Sequence, residues 1–328
     1  MTKKPKSKID KRIVKQQQLV ARVSSLLKAD QAEVQALLST PLQQAVRINP
    51  LKQDPSVTLD VMQKLGWQGS SIDWCTNGYT IDSGFEMLRD SDLARDGFVY
   101  IQNTSSWLPV VALDPQPGET VLDVCAAPGG KTSHIAALMQ NAGTLIANDN
   151  SKPRLMRLQR NLERLSATAE LTLHDATLLA RKLDGQLFDR ILLDAPCSGE
   201  GLINLSDPST LDTWSVAHVK RLATLQKRII SQAWQLLKPG GVLVYSTCTT
   251  APEENEAVIN WLLRKQPDAR LHPILLHNTD LKSGITEWQG IKYHADLSGA
   301  ARILPNTDGD EAFFVAHLVK DASVTTES

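Results

Sequence analysis

Residues 118–320 predict a doubly wound, mainly parallel α/β sheet, and a small α+β module precedes it. Three observations lead to this expectation. From Gly118 onward, short apolar runs of strand character alternate with segments of helical periodicity. The first of these strands runs into DVCAAPGGKT (123–132), a glycine turn that opens directly into a helix. Acids and cysteines then follow the carboxyl ends of several later strands, the edge where open α/β sheets place their chemistry.

In chain order, residues 9–38 read as helix on the apolar spacing of Ile13, Leu19, Val20, Val23, Leu26, Leu27, Val34, Leu37 and Leu38, with Asp30 placed to break or recap it. AVRINPL (45–51) reads as a strand, and SVTLDVMQKLG (56–66) as a helix closed by Gly66. SIDWCTNGYTID (71–82) predicts a hairpin turning at Asn77-Gly78. Strands are expected at 120–124, 144–148, 170–174, 188–193, 241–247 and 312–319, and helices at 131–140, 153–165, 216–237 and 253–265. LKPGG (237–241) supplies the proline and glycine that should end the long helix. Residues 266–311 show no clear pattern. The expected division is a basic arm and helix (1–38), the small module (39–96), the main domain (97–320) and a tail (321–328).

A length of 328 residues suits about two domains. Hydrophobic residues at 42% and charged residues at 22% fit a globular chain with a buried core. No apolar run reaches the roughly 20 residues needed to span a bilayer, and the basic N-terminus lacks the apolar stretch of a secretory signal. The expectation is a cytoplasmic, membrane-free monomer. Four scattered cysteines without a CxxC point to neither a disulfide framework nor a metal site. The net charge of −1 is uninformative, but its distribution is not. Residues 1–15 carry seven bases (Lys3, Lys4, Lys6, Lys8, Lys11, Arg12, Lys15) against Asp10 alone. Lys152, Arg154, Arg157, Arg160 and Arg164 lie on one predicted helix. Each cluster is either a solvated surface or an electrostatic footprint for phosphates.

Pro128-Gly129-Gly130 forms the turn after the first strand, and Lys131-Thr132 open the helix, so backbone N–H groups should face a ligand. A P-loop would need glycine where Cys125 stands, and no GxGxxG is present, which argues against nucleotide triphosphates and nicotinamide. Asp149, Asp175 and Asp194 each follow a strand. The acid at the end of the second strand is placed to bind ribose hydroxyls, although each could equally cap a helix. Cys197, in FDRILLDAPCSG (188–199), and Cys248, in GGVLVYSTCT (240–249), should converge on one crevice.

DVCAAPGGKT, LLDAPCSGEG (192–201), YSTCT (245–249) and PEENE (252–256) together resemble the signature blocks of the RsmB/Nop2/Sun family of S-adenosylmethionine-dependent RNA (cytosine-5)-methyltransferases. The likeness runs from Arg47-Ile48-Asn49 to RILPNTDGDEAFFVAHL (302–318). Two positions depart from the family pattern: Asn103, often Asp, and Ala312, often Gly. The resemblance implies a Rossmann-like class I methyltransferase domain behind an RNA-recognition-motif-like module. It also implies that Cys125, Ala126, Ala127, Pro128, Gly129, Gly130 and Lys131 wrap the methionine end of S-adenosylmethionine. Asp149 would then bind its ribose, Asp175 would lie by its adenine, and Asp194 would stand beside the target base. The segment after residue 320 is too short for the further C-terminal RNA-binding domain of some members.

The implied chemistry explains the residue types. Carbon 5 of cytosine becomes nucleophilic once a thiolate adds to carbon 6. In DNA cytosine methyltransferases the Pro-Cys after the fourth strand attacks, which would select Cys197. In the RNA family the Thr-Cys after the fifth strand attacks, and the matching blocks select Cys248 here, leaving Cys197 to assist product release. Asp194 would stabilise charge on the base. Cys75 and Cys125 read as structural. His134 and His174 read as fold residues rather than bases, and Trp74, Trp107 and Trp214 as core aromatics rather than stacking platforms. Ribosomal RNA is the expected substrate, with transfer RNA as the alternative. DNA methylation and a non-catalytic RNA-binding assembly factor are the competing readings.

Overall fold

The computed structural model describes residues 8–276 and 279–322. The predicted N-terminal helix is two helices, α1 (Lys8–Leu27) and α2 (Gln31–Leu37). Asp30 recaps the chain between them, its side chain accepting from the Glu33 N–H. The small module follows, with β1 (Ala45–Ile48), α3 (Pro55–Lys64), β2 (Gly78–Thr80), α4 (Phe85–Arg89), α5 (Asp92–Arg95) and β3 (Val99–Gln102). Its antiparallel sheet has the order β2-β1-β3 and packs Val46, Ile48 and Val99 against Met62, Trp67 and Leu88. β3 lies beyond residue 96, so the expected boundary falls before the last strand of this sheet. The turn at Asn77-Gly78 forms with Asn77 at φ 63°, but the expected hairpin arms meet only at isolated bridges such as Ser71 to Tyr79. β2 pairs with β1 instead.

After α6 (Leu108–Leu113) comes the alternating domain: β4 (Thr120–Asp123), α7 (Gly130–Leu138), β5 (Thr144–Asn148), α8 (Lys152–Arg164), β6 (Glu170–Thr172), α9 (Leu179–Lys182), β7 (Phe188–Asp194), α10 (Val216–Leu236), β8 (Leu237–Thr247) and α11 (Glu256–Lys265). The patternless region resolves into short strands: β9 (Ala269–His272), β10 (Lys282–Ser283), β11 (Glu287–Trp288), β12 (Ile291–Lys292) and β13 (Ala301–Ile303). β14 (Phe313–Lys320) ends the fold. Five strands run parallel in the order β6-β5-β4-β7-β8, and β14 closes against β8 antiparallel. The expected doubly wound, mainly parallel sheet is present. Strand order reverses at β4, which places a crevice outside the carboxyl ends of β4, β7 and β8.

The N-terminal helices do not stand apart from this domain. Leu19, Val20, Val23, Val34 and Leu38 form one apolar cluster with Ile203, Leu211 and Trp214. Arg12 pairs with Asp212 at 2.6 Å, and the Lys15 ammonium donates to the carbonyls of Leu211 and Asp212. The small module is tied in by Asn49, whose amide donates to the Gly97 and Leu165 carbonyls, and by buried Arg47, which reaches Ser133 on α7.

Candidate active site

The turn after β4 is built from close approaches. Gly129 caps α7 at φ 108°, and a Cβ there would lie 2.7 Å from Leu158 Cδ1, so only glycine fits without strain. Thr132 Oγ1 donates to Asp123 Oδ2 at 2.7 Å and fastens the helix start to the strand end. Beside this turn is a cavity of about 210 Å³ lined by Cys125, Ala126, Ala127, Pro128, Gly130, Lys131, Asp123 and Asp194 from the sheet edge, and by Tyr100, Gln102 and Ser106 from the segment leading in from the small module. Of the predicted turn residues, Gly129 alone is not in this lining, because it faces α8.

At the ends of β7 and β8 the predicted groups do come together. Cys197 Sγ lies 3.3 Å from Cys248 Sγ. Asp194 Oδ2 receives the Lys131 ammonium at 2.8 Å, and its Oδ1 accepts from Ser246 Oγ at 2.8 Å. Burial opposes the Lys131 charge, but the neighbouring Asp194, Cys248 and Glu311 outweigh it and hold the ammonium above its usual pKa. Cys197 is pushed well above the ordinary thiol range, first by its hydrogen bond to Cys248 and then by burial. Burial also raises the Cys125 thiol, reinforced by Asp123, Asp149 and Asp194, which fits a structural role. Cys75 is buried and pushed up to about 12.

The remaining acids divide. Asp149 is 3% exposed at the end of β5, accepts from the Ser151 N–H and meets Arg154 at 3.1 Å. Asp175 accepts from the N–H and hydroxyl of Thr177, which lowers its pKa. Both cap local backbone while standing at the strand-end edge. His134 is buried, and desolvation drives its pKa well below the usual value. Trp107 and Trp214 are core residues, Trp214 donating to Glu200, and half-buried Trp74 packs on Trp107.

Two acids that the sequence reading did not single out belong to the site. Asp123 is 1% exposed, its Oδ1 has no partner, and burial raises its pKa to about 7. Glu254 is buried behind Cys197 and is likewise raised to about 7 by burial. The sequence signals were present, as the acid opening DVCAAPGGKT and the middle of PEENE, but only burial distinguishes them from capping acids. The departure at Asn103 has a local reason. Its amide donates to Glu311 Oε2 at 2.8 Å, where an aspartate would oppose a second carboxylate. Ala312 is buried with its carbonyl directly over Gly201.

Sheet order and the turn define the class, a Rossmann-like α/β domain with a ligand crevice at its strand ends. Residues 110–319 match the family model of the 16S rRNA methyltransferase RsmB/F, and residues 16–104 match the N-terminal domain of the 16S rRNA methyltransferase RsmF. The chain belongs to this RsmB/F methyltransferase family. It is 39% identical over 296 residues to the ribosomal RNA small subunit methyltransferase F of Klebsiella pneumoniae, covering 88% of this chain and 60% of that one. It is 40% identical over 309 residues to the tRNA (cytosine(49)-C(5))-methyltransferase of Pyrococcus abyssi, covering 92% of this chain and 95% of that one. A methyltransferase homologue from Pyrococcus horikoshii has the same fold, with a TM-score of 0.81 and 32% identity over 94% of this chain and 99% of that one. The chain thus spans about 60% of the length of the ribosomal enzyme it matches.

Proposed function

We propose that this protein methylates carbon 5 of a cytosine in RNA, with Cys248 as nucleophile and Cys197 as release partner. The observation that carries this reading is the pair of thiols 3.3 Å apart at adjacent strand ends, next to the Lys131–Asp194 ion pair. A thiol pair held this close suits a reaction in which one sulfur adds to a base and the other handles the proton that must leave. Cys197 is the member that keeps its proton, because Cys248 itself raises it. That leaves Cys248 to attack, with the Lys131 ammonium facing it.

S-adenosylmethionine, when bound, supplies an electrophilic methyl group on a sulfonium. The residues present fit it. The turn Cys125–Lys131 offers backbone groups, and the unpartnered Asp123 Oδ1 offers an acceptor to a cationic ligand. Asp149, at the end of β5, is assigned to the ribose and Asp175 to the adenine side. Asp194, about a third exposed and held by Lys131 and Ser246, is assigned to the target base. In this reading Cys248 would add to carbon 6, and once carbon 5 carried the donor's methyl group the Cys197 sulfur would take the carbon 5 proton as its own S–H proton passes to a neighbouring base. The carbon 6–sulfur bond then breaks and restores the 5,6 double bond.

Ribosomal RNA is the favoured substrate, since both family models are of ribosomal enzymes. Transfer RNA is the second reading, favoured by the match over 95% of the transfer RNA enzyme's length. The reading places the protein in the cytoplasm; no helix among the described residues is long and apolar enough to cross a membrane. Covalent trapping on RNA with methyl donor tests the chemistry. Cys248→Ser is expected to give neither methylation nor adduct, whereas Cys197→Ala methylates and then remains attached as a slow band on a denaturing gel. An adduct with Cys248→Ser and none with Cys197→Ala would reverse the assignment. Bisulfite sequencing of RNA with and without the gene identifies the cytosine.

A further inference from the structure

The thiol pair does not account for Glu254, the buried acid of the PEENE segment beside Cys197. Glu254 is 0% exposed. Its Oε2 accepts from the Ser198 N–H at 3.0 Å and from Gln226 Nε2 at 2.9 Å. The same Gln226 amide donates to the Pro196 carbonyl at 2.9 Å, so the backbone on both sides of Cys197 is fastened to this one carboxylate. Ser198 Oγ also lies 2.9 Å from the hydroxyl of Thr249, the residue after Cys248. Glu254 Oε1, in contrast, is buried with no partner. A carboxylate that organises a loop through one oxygen and leaves the other unsatisfied in the interior is costly unless the free oxygen is used.

We propose that Glu254 is the positioning residue behind Cys197: it fixes the Cys197 loop through Oε2 and receives, at Oε1, the proton that Cys197 passes on from carbon 5. The inference rests on the reading of Cys248 as nucleophile and Cys197 as release partner. The step balances. As the Cys197 sulfur takes the carbon 5 proton, its own S–H proton moves to Glu254, directly or through one water. The carbon 5–hydrogen pair re-forms the 5,6 double bond, and Cys248 leaves as thiolate. Glu254 then loses its proton to solvent. Capture of the base by Cys248 alters the hydrogen bond that raises the Cys197 pKa most, while burial and the Glu254 charge continue to raise it.

The groups facing Glu254 are Cys197, Tyr245, Glu200 and Arg22. Burial, with a smaller contribution from Glu200, sets the Glu254 pKa at about 7, so the carboxylate is ready above that pH and already protonated below it. The experiment uses the full chain, S-adenosylmethionine, and unmodified small-subunit ribosomal and transfer RNA transcripts. It reads first-turnover methylation, steady turnover and gel-stable adduct across neutral pH. Wild-type adduct is expected to accumulate below pH about 7 and to fade above it. Glu254→Gln keeps an oxygen for Ser198 and Gln226 but cannot take a proton. Its first turnover should stay within about twofold of wild type, while release slows roughly tenfold or more and adduct persists at every pH. Wild-type release and pH profile in Glu254→Gln would overturn the proposal. If that variant fails to bind methyl donor, the wild-type profile decides, and adduct independent of pH overturns it. Adduct from Cys248→Ser in place of Cys197→Ala would instead remove the underlying thiol assignment.

Discussion

Asp123 gives the most direct link between one residue and a measurable pH dependence. Its pKa is raised from 3.8 to about 7 by burial, against the pull of Thr132 and with Asp194 adding to the rise. Because the folded value exceeds the unfolded one, its contribution to the stability of the free protein is fully present below about 3.8 and is lost as pH rises through about 7. A cationic methyl donor should reverse that preference by favouring the carboxylate. Calorimetry is therefore expected to show donor affinity climbing with pH up to about 7 and then levelling. Asp123→Asn should flatten the profile and weaken binding by about 1–3 kcal/mol; an unchanged profile would remove Asp123 from the donor site. Cys197 and Cys248 are legible in the sequence because each follows an apolar strand by a few residues, and strand ends in such sheets converge. Asp123 and Glu254 are not legible as perturbed acids. Their proton affinity is set first by burial, which only the folded chain creates.

At the scale of elements, the alternating strands and helices were readable because their periods differ, but partners were not. The 71–82 segment carries a strong turn signal, and the turn forms, yet its strand is recruited by β1 through Ala45, Val46 and Arg47. The region 266–311 gave no pattern because its strands are only two to four residues long and are defined by pairing to β14 and to each other. The cofactor turn is the opposite case, where local sequence and tertiary contact impose the same demand. Gly129 is held at φ 108° with Leu158 of α8 against it, so Gly129→Ala meets both a backbone penalty and a clash. The expected cost is on the order of 1–3 kcal/mol, read as a lower melting temperature together with weakened donor binding. If melting falls and donor affinity does not, the turn is a fold element only.

For the molecule as a whole, the basic N-terminus has to be divided between two roles. The electrostatic reading treats residues 1–15 as one phosphate-binding arm, but residues 1–7, with Lys3, Lys4 and Lys6, lie outside the described residues. Of the rest, Arg12 and Lys15 are already committed to the 211–212 segment, and α1 packs its apolar face beside Trp214, whose indole donates to Glu200. Arg22 continues the same seam to Glu253, one residue from Glu254. The helix thus braces the wall behind the thiols. The basic face of α8 is divided in the same way: Arg154 and Arg164 bond the Ala127 and Ala94 carbonyls, while Lys152, Arg157 and Arg160 stay exposed. Separate variants should therefore give separate effects. Deleting residues 1–7 removes three lysines and should lower the magnitude of the salt slope for single-stranded RNA by about 2, leaving melting temperature and donor affinity unchanged. Arg12→Ala with Lys15→Ala should lower the melting temperature with a much smaller change in slope, since those charges are spent on the protein's own acid and carbonyls. Filter binding over a salt series, run beside thermal melts, distinguishes the two. Were the double variant to flatten the slope while melting as wild type does, Arg12 and Lys15 would belong to the RNA footprint and the brace would be of no consequence.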